Sequence, residues 1–392
     1  MDLISYKITR VTPLQIVESA QGEGGLCGGA FLNLRFEEHM KARIGEARFN
    51  AYKLGKHWHK AQAFFEKDVK RSFGATYLKE FQVPVTGLPD DEAAGIEDNE
   101  LTLTTEQLKD IFDPVINDVI DLVDHQVREL RSGGEEVAAI ICVGGFGQSA
   151  YLQQRLKAHF RTDVPPAYSA APASGSANGS VKNVENKAID IMVSTDSWTA
   201  CVRGALQRGL QDSIVMSRKC RFHYGVESNT LYREGIHPAS SRVWNEIKDE
   251  FQAESVMRWY LQKGETIEKD RIVTFSFSLP WAEHPLSGNG EVKYSTTLFA
   301  SAAPVQALMR SDASVFRVCT MSADLRAIPR RQFRKRTATS GKKYHSLQFE
   351  LVMKVNSADI EFSMEIDGEP YGSVTASFDH SALAPSFDLT DD

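Results

Sequence analysis

The sequence predicts an α/β region followed by an antiparallel β region, and three observations support this division. Residues 137–156 combine an apolar run, the glycine turn VGGFGQS and a helical spacing of apolar residues, as in a strand–turn–helix unit. Residues 273–279, 347–355 and 360–366 alternate apolar with polar side chains, which is typical of antiparallel strands with one solvated face. The apolar period therefore changes from about 3.6 to about 2 near Arg271.

The composition is that of an ordinary globular protein. The 392 residues suffice for two or three domains, and they are 42% hydrophobic and 25% charged. A net charge of −7 argues against wholesale nucleic-acid binding, and no apolar stretch is long enough to span a bilayer. The N-terminus lacks the layout of a signal peptide, and the five cysteines show no CxxC motif. We therefore expect a cytoplasmic protein with no nucleic-acid partner and no membrane partner.

The first region, residues 1–212, is predicted to alternate strands with helices. Thr104 with Gln107 forms a capping-box pattern that marks the start of one helix. Residues 90–100 are predicted to form an acidic surface loop, and the Pro-, Ala-, Ser- and Gly-rich residues 165–183 a flexible insertion. Strands are expected at 1–8, 13–18, 137–143 and 189–193, and helices at 30–44, 57–73, from Thr104 onward and at 198–210.

The second region is predicted to contain a connecting segment and a β-rich domain. The connecting segment covers residues 213–270, and the β-rich C-terminal domain covers residues 271–392. Asp367-Gly368 is a two-residue hairpin signal, and it precedes a last strand at 374–378.

Two glycine-rich turns that lead into predicted helices are the candidate binding sites. Such turns bring backbone N–H groups and a helix N-terminus up to a phosphate or nucleotide. A tight turn at a helix start is the alternative, because a glycine pattern alone has a high false-positive rate. The residues concerned are Gly28, Gly29, Gly144, Gly145, Gly147 and Ser149.

Three further patterns permit chemical and structural interpretations. His57 and His59 lie two positions apart on a helix and do not face one site, which favours a structural or surface role over metal binding. The basic run 326–343 is either a localisation or anion-binding patch or a solvated loop between strands. Residues 64–71 are predicted to form an amphipathic helix with one face in the core and the other exposed to solvent. No HExxH, GxSxG or P-loop motif is present, so we predict no catalytic and no metal-ligating residue.

Several segments, taken in order, resemble the heat-shock protein 70 family within the actin-like ATPase superfamily. They are MDLISYKI, GEGGLCGGAFLNLRFEEHM, LTTEQLKDIFDPVINDVIDLV, CVGGFGQSAYLQQRL and DSWTACVRGALQRGL. The forms LCGGAFLN, VGGFGQS and SRKCRFHYGV are most similar to the divergent heat-shock 70 kDa protein 12 subfamily. The resemblance covers residues 1 to about 225. It implies the C-terminal half of an actin-like (ribonuclease H-like) ATPase domain, followed by an antiparallel β domain.

The resemblance implies an ATP or ADP site whose adenosine side lies in this chain. In that family the glycine turn after the strand approaches the ribose and α-phosphate, a role that would fall to Gly144, Gly145, Gly147 and Ser149. The segment with Gly28 and Gly29 matches the family's glycine loop.

The same resemblance assigns basic residues to the adenosine. Lys70 and Arg71 stand where family members contact adenine and ribose. Glu66 is one position away from the family's spacing for a ribose-contacting acid, and Gln148 stands where many members have an arginine that stacks on adenine.

The phosphate-activating parts of the family site have no counterpart in this sequence. The first phosphate loop, the catalytic lysine and the second loop with its metal-linked aspartate would precede the residue that matches Met1. Phosphoryl transfer depends on Mg²⁺ and on cations held against the β- and γ-phosphates. We therefore expect weak or lost ATP or ADP binding, no hydrolysis, and no Mg²⁺ binding through this chain alone.

The family's role is ATP-dependent binding of polypeptides, as in a chaperone. We accordingly expect polypeptide clients or partner proteins at the β domain. One alternative is a non-enzymatic interaction module whose β domain binds partners by strand addition. The other alternative is an N-terminally truncated fragment without independent activity.

Overall fold

The protein is a mixed α/β chain with several antiparallel sheets, as the computed structural model shows. The structure describes residues 1–75, 79–160, 188–210, 214–287, 292–355, 360–371 and 374–378. The predicted flexible insertion, residues 165–183, lies outside the described residues. The coarse α/β prediction is therefore confirmed.

The α-helices of the described residues lie in the first part of the chain. A π-helix (Phe65–Val69) joins α3 to α4, and a short 3₁₀ turn (Ser197–Thr199) precedes α8. The α-helices are α1 (Gly29–Ile44), α2 (Glu46–Lys53), α3 (Lys56–Phe64), α4 (Lys70–Ser72), α5 (Thr105–Ser132), α6 (Gly144–Gly147), α7 (Ala150–Phe160) and α8 (Ala200–Leu210).

The strands are distributed over the whole chain. In order they are β1 (Asp2–Leu3), β2 (Tyr6–Arg10), β3 (Gln15–Glu18), β4 (Glu23–Gly24), β5 (Glu80–Pro84), β6 (Ile96–Glu97), β7 (Glu100–Thr104), β8 (Ala139–Cys142), β9 (Asp190–Val193), β10 (Val215–Lys219), β11 (His223–Leu231), β12 (Arg242–Asn245), β13 (Glu250–Leu261), β14 (Thr266–Glu268), β15 (Arg271–Trp281), β16 (Lys293–Ser301), β17 (Val315–Asp324), β18 (Arg334–Thr337), β19 (Lys343–Val355), β20 (Ile360–Ile366), β21 (Glu369–Pro370) and β22 (Val374–Phe378).

The chain divides into two compact units. Unit 1 contains Met1–Ile4 and Glu23–Asp212, and unit 2 contains Ser5–Gly22 and Ser213–Asp392. This division differs from the predicted domains 1–212, 213–270 and 271–392. Residues 5–22 belong to the β-rich unit, and residues 213–270 supply strands β10–β14 of that unit instead of a connecting segment.

Long-range strand pairing explains why residues 5–22 belong to unit 2. β2 and β3 form an antiparallel pair, and β3 also pairs in parallel with β10, which gives the sheet order β14-β10-β3-β2. The Lys219 backbone N–H donates to the buried Glu18 carboxylate at 2.7 Å, across 201 positions of sequence. The pairing satisfies backbone groups of β10 that would otherwise lack partners.

Irregular strands explain why residues 213–270 were not predicted to be part of a β domain. The pairing of β11 with β13 contains two register shifts, and Ser255 within β13 has φ +58°. Each bulge inserts a residue and interrupts the alternation of apolar and polar side chains. The period of two is therefore not visible in this segment.

Helix α5 carries the core of unit 1. The predicted capping box is confirmed, because the Thr104 hydroxyl accepts the Gln107 N–H at 3.4 Å and the Gln107 amide oxygen accepts the Thr104 N–H at 3.0 Å. The helix continues past Pro114 to Ser132. Its buried face consists of Leu108, Ile111, Phe112, Val115, Ile116, Val119, Ile120, Val123, Gln126, Val127 and Leu130.

Aromatic rings fill the space between α5 and the helices before it. Phe36 stacks on Phe65 with ring centroids 4.2 Å apart, and it also stacks on Trp58 at 5.6 Å. Phe112 packs against Phe73 at 4.9 Å. Trp58 is thus a core residue, whereas the neighbouring His59 is exposed.

The prediction that residues 90–100 form an acidic surface loop is wrong in part. Ile96–Glu97 form β6 in a three-stranded sheet of order β5-β7-β6, and Ala94 and Ile96 are each 1% exposed. Arg48 forms an ion pair with Asp91 at 2.8 Å. Because residues 90–100 are mostly acidic, their composition did not reveal that this short sheet buries Ala94 and Ile96.

The strand before the second glycine turn is present as predicted, but one of its faces is exposed. β8 and β9 form a two-stranded parallel sheet in which Ile141 lies opposite Met192. These side chains are 66% and 53% exposed. Parallel strands are normally covered on both faces, but one face of this sheet is open to solvent.

Unit 2 contains the predicted antiparallel strands. β15 and β19 pair without interruption from Arg271 opposite Val355 to Trp281 opposite His345. The predicted hairpin turn is confirmed, because Asp367 and Gly368 have φ +53° and +82° between β20 and β21. Another sheet of this unit has the order β12-β13-β11-β16-β17-β22, so the last strand pairs with β17.

Within the part of the chain that the structure describes, no helix is both long enough and apolar enough to cross a membrane.

Candidate functional site

The turn after β8 requires glycine at two positions, for two different reasons. Gly144 has φ +80°, in the left-handed region that favours glycine. Gly145 has an ordinary φ, but a Cβ there would lie 2.5 Å from Cζ3 of Trp198. The turn therefore combines a special backbone conformation with close approach of a side chain.

The next two candidate residues hold this turn, here called the glycine turn (residues 144–147), against its surroundings. A Cβ on Gly147 would lie 3.1 Å from the carbonyl carbon of Cys142. The Ser149 side chain is buried, and its hydroxyl accepts the Leu152 N–H at 3.4 Å at the start of α7. Ser149 thus caps α7, whereas the glycines shape the turn.

Lys70 connects the first glycine loop with the helix before β5. Its ammonium group donates to the Gly29 carbonyl at 2.7 Å, to Asn33 Oδ1 at 3.2 Å and to Glu66 Oε2 at 2.6 Å. The lysine side chain is only 10% exposed. We call Gly29, Asn33, Glu66 and Lys70 the lysine cluster.

The lysine cluster adjoins the glycine turn through Gly29. A Cβ on Gly29 would meet Phe146 Cβ at 3.5 Å and Lys70 Nζ at 3.6 Å. Phe146 is a residue of the glycine turn, so the two glycine-rich segments that the sequence singled out, more than a hundred positions apart, lie side by side. Gly28 is the N-cap of α1 and would have only Met1 N near an added Cβ, at 4.0 Å.

A π-helix carries Glu66. Residues Phe65–Val69 form this π-helix, and such a turn accommodates one extra residue in a helix. Glu66 lies within the π-helix and accepts from Lys70 and from Asn33, the latter at 2.7 Å. Burial raises the pKa of Glu66, but the hydrogen bonds from Lys70 and Asn33 outweigh it and hold that pKa below its usual value. Glu66 is therefore an anionic acceptor at neutral pH.

Arg71 and Trp198 form the other side of the site. The Arg71 guanidinium carbon lies 5.8 Å from the centroid of the Trp198 ring, within the range of a cation–π contact. Trp198 is 64% exposed, and the same ring lies against Gly145. A planar indole and a guanidinium beside a glycine turn offer a stacking surface to a flat aromatic ligand.

Sequence reasoning missed two residues of this site. Trp198 stands in the segment DSWTACVRG, which was assigned only a helical role. Asn33 lies in α1, four positions after Gly29, and helical spacing could have placed it on the face of Gly29. Among the described residues, no group of His, Cys, Asp and Glu side chains is arranged to hold a metal ion.

No protein-family model matches this chain. A search of curated proteins likewise found no significant match.

Proposed function

We propose that unit 1 binds the adenosine part of an adenine nucleotide, with low affinity and without hydrolysing it. The observation that carries the proposal is the meeting of the lysine cluster with the glycine turn, because these segments are remote in sequence and each contributes a group suited to a nucleoside. Glu66 is an acceptor for ribose hydroxyls, and the ring of Trp198 with Arg71 is a surface for the base.

The proposal includes the family and the fold. Unit 1 would be the second half of an actin-like ATPase domain of a heat-shock protein 70-like protein, in which the glycine turn faces ribose and α-phosphate. The order of the five sequence segments and the position of Lys70 beside the glycine loop support it.

Low affinity follows from the chemistry of the residues present. The ammonium group of Lys70 is already shared by three oxygen acceptors, and the site as described offers no metal cluster. Phosphates and Mg²⁺ provide most of the binding in complete phosphoryl-transfer sites. Adenosine, ADP and ATP are therefore expected to bind with similar affinity, within about tenfold, a difference of ~1.4 kcal/mol.

Titration calorimetry with adenosine, ADP, ATP and GDP tests the proposal. Lys70→Met should abolish adenosine binding, because it removes the link between the glycine loop and Glu66. The matched control is Lys67→Met, which removes an exposed lysine from the same helical segment. If tryptophan fluorescence is recorded during the adenosine titration, Trp198→Phe should reduce the change in fluorescence that accompanies binding.

Two results would contradict the proposal. Nanomolar binding of ATP would show that phosphate contacts dominate, contrary to the adenosine-side assignment. Adenosine binding that is equal in Lys70→Met and the parent protein would place any nucleotide site elsewhere.

A second candidate function is the binding of polypeptide partners by unit 2. The observation in its favour is an exposed edge strand, β18, whose four residues all lie at the surface. Exposed strand edges are templates for the addition of a strand from another chain.

A further inference from the structure

Strand β18 has one free edge. It pairs with β19 from Arg334 opposite Ser346 to Thr337 opposite Lys343, and no other described strand pairs with it. The Ala338 N–H donates to the Lys342 carbonyl at 2.9 Å, which makes these two a hydrogen-bonded pair. Because such pairs alternate along an antiparallel ladder, Lys335 and Thr337 direct their backbone N–H and C=O groups away from β19.

The same strand carries an unusual density of positive charge. Arg334, Lys335 and Arg336 are consecutive and exposed. Among the described residues only Arg334 has a carboxylate partner, Asp367 at 3.5 Å, and that pair is solvent-exposed on both sides. The other two cations, together with Lys343 on the neighbouring strand, have no carboxylate within ion-pair distance in the described ranges.

The combination of a free strand edge and a row of cations indicates which kind of partner would bind. A polypeptide strand would use the outward N–H and C=O groups and would also place its carboxylates opposite the cations, and opposite charges across a strand pair stabilise the pairing. A nucleic acid would use the cations alone. Because the whole chain carries a net charge of −7, long-range attraction of a polyanion is opposed and short-range contacts decide.

We propose that β18 is a docking site for an acidic, extended polypeptide segment, which adds as a strand to the free edge of Arg334–Thr337. This inference rests on the second candidate function, partner binding by unit 2, and supplies its location and partner chemistry. It is independent of nucleotide binding by unit 1.

The test uses fluorescence anisotropy of the full chain with a labelled peptide of alternating Glu and Val residues. The variant Arg334→Gln/Lys335→Gln/Arg336→Gln should weaken binding by about tenfold or more, and added salt should weaken binding to the parent protein. The matched control is Arg221→Gln/Lys269→Gln/Arg317→Gln, which removes three exposed cations from other parts of unit 2. This control should bind the peptide like the parent protein.

A second variant separates strand addition from charge. Thr337→Pro retains all the cations and removes one outward N–H, and proline is tolerated on strand edges. It should weaken peptide binding by about tenfold as well. Its control, Thr337→Val, keeps the N–H and should bind normally. Thermal melting confirms that each variant is folded.

Three outcomes would overturn the inference. The first is no binding of the acidic peptide by the parent protein. The second is tighter binding of a single-stranded oligonucleotide than of the peptide, with oligonucleotide binding that the charge variant weakens and that Thr337→Pro leaves unchanged. This result would show that β18 is a simple polyanion-binding surface. The third is equal binding of an uncharged peptide of alternating Val and Ser to every variant. In that case unit 2 binds polypeptides at a site other than β18.

Discussion

Helices α5 and α8 have the same kind of apolar stripe but opposite environments. α5 buries eleven residues, whereas α8 buries none. The stripe of α8 consists of Val202, Leu206 and Leu210, which are 67%, 64% and 76% exposed. The periodicity of a sequence thus predicts which face of a helix is apolar, but not whether another element covers that face.

The difference follows from what packs on each helix. The apolar face of α5 meets the rings of the aromatic cluster, including Phe65 and Phe73, at centroid distances of 6.3 and 4.9 Å from Phe112. α8 begins next to the glycine turn, whose strand β8 also exposes an apolar side chain, Ile141. Because an isolated helix shorter than about 12–15 residues is marginal in water, most of the stability of a short helix must come from packing.

The largest effect is expected in α5. Phe112→Ala removes a fully buried ring that contacts three other aromatic side chains, and it should lower the free energy of unfolding by about 3–5 kcal/mol. Urea unfolding of unit 1, followed by circular dichroism at helical wavelengths, measures this change. A loss below about 1 kcal/mol, the typical effect of any point substitution, would show that the cluster is not tightly packed.

An intermediate effect is expected at the junction between β8 and α8. Gly145→Ala places a Cβ against the Trp198 ring and should cost about 1–3 kcal/mol through overpacking. Gly144→Ala should cost about 1–2 kcal/mol through its positive φ, with no atom near the new Cβ.

A double-mutant comparison distinguishes these two causes. Trp198→Ala should rescue Gly145→Ala, because it removes the clashing ring, but it should not rescue Gly144→Ala. Equal rescue of both variants, or of neither, would contradict the assignment of separate causes. Thermal melting of the three single and the two double variants provides the measurement.

The smallest effect is expected in α8. Leu206→Ser replaces an exposed apolar side chain and should change the free energy of unfolding by no more than about 0.5 kcal/mol, as for other surface substitutions. Urea unfolding at two protein concentrations, with sedimentation to record the oligomeric state, measures the effect. A loss comparable to that of a core substitution would show that the stripe is covered in solution, and the contrast with α5 would disappear.

Several features could be predicted because they depend on local conformational preferences. The capping box at Thr104, the positive φ of Gly144 and the turn at Asp367-Gly368 each involve residues within a few positions of one another. The long alternation in β15 and β19 likewise shows its period directly, because those strands pair without a bulge.

Part of the candidate site could be predicted for the same reason. The glycine turn and Lys70 are visible as a motif and as a basic residue on an amphipathic helix. Their association through Gly29 and the contact of Arg71 with Trp198 were not predictable, because each joins segments that only folding brings together.

The sequence by itself determined the start of α5, the regular alternation of β15 and β19, which faces are apolar, and where the backbone needs glycine. The tertiary structure alone decided that β3 pairs with β10, that residues 213–270 belong to the β-rich unit, and that the stripe of α8 remains exposed. The physical reason is that local patterns limit φ, ψ and side-chain direction, whereas the choice of partners depends on which distant segments satisfy one another's backbone groups and bury one another's surface.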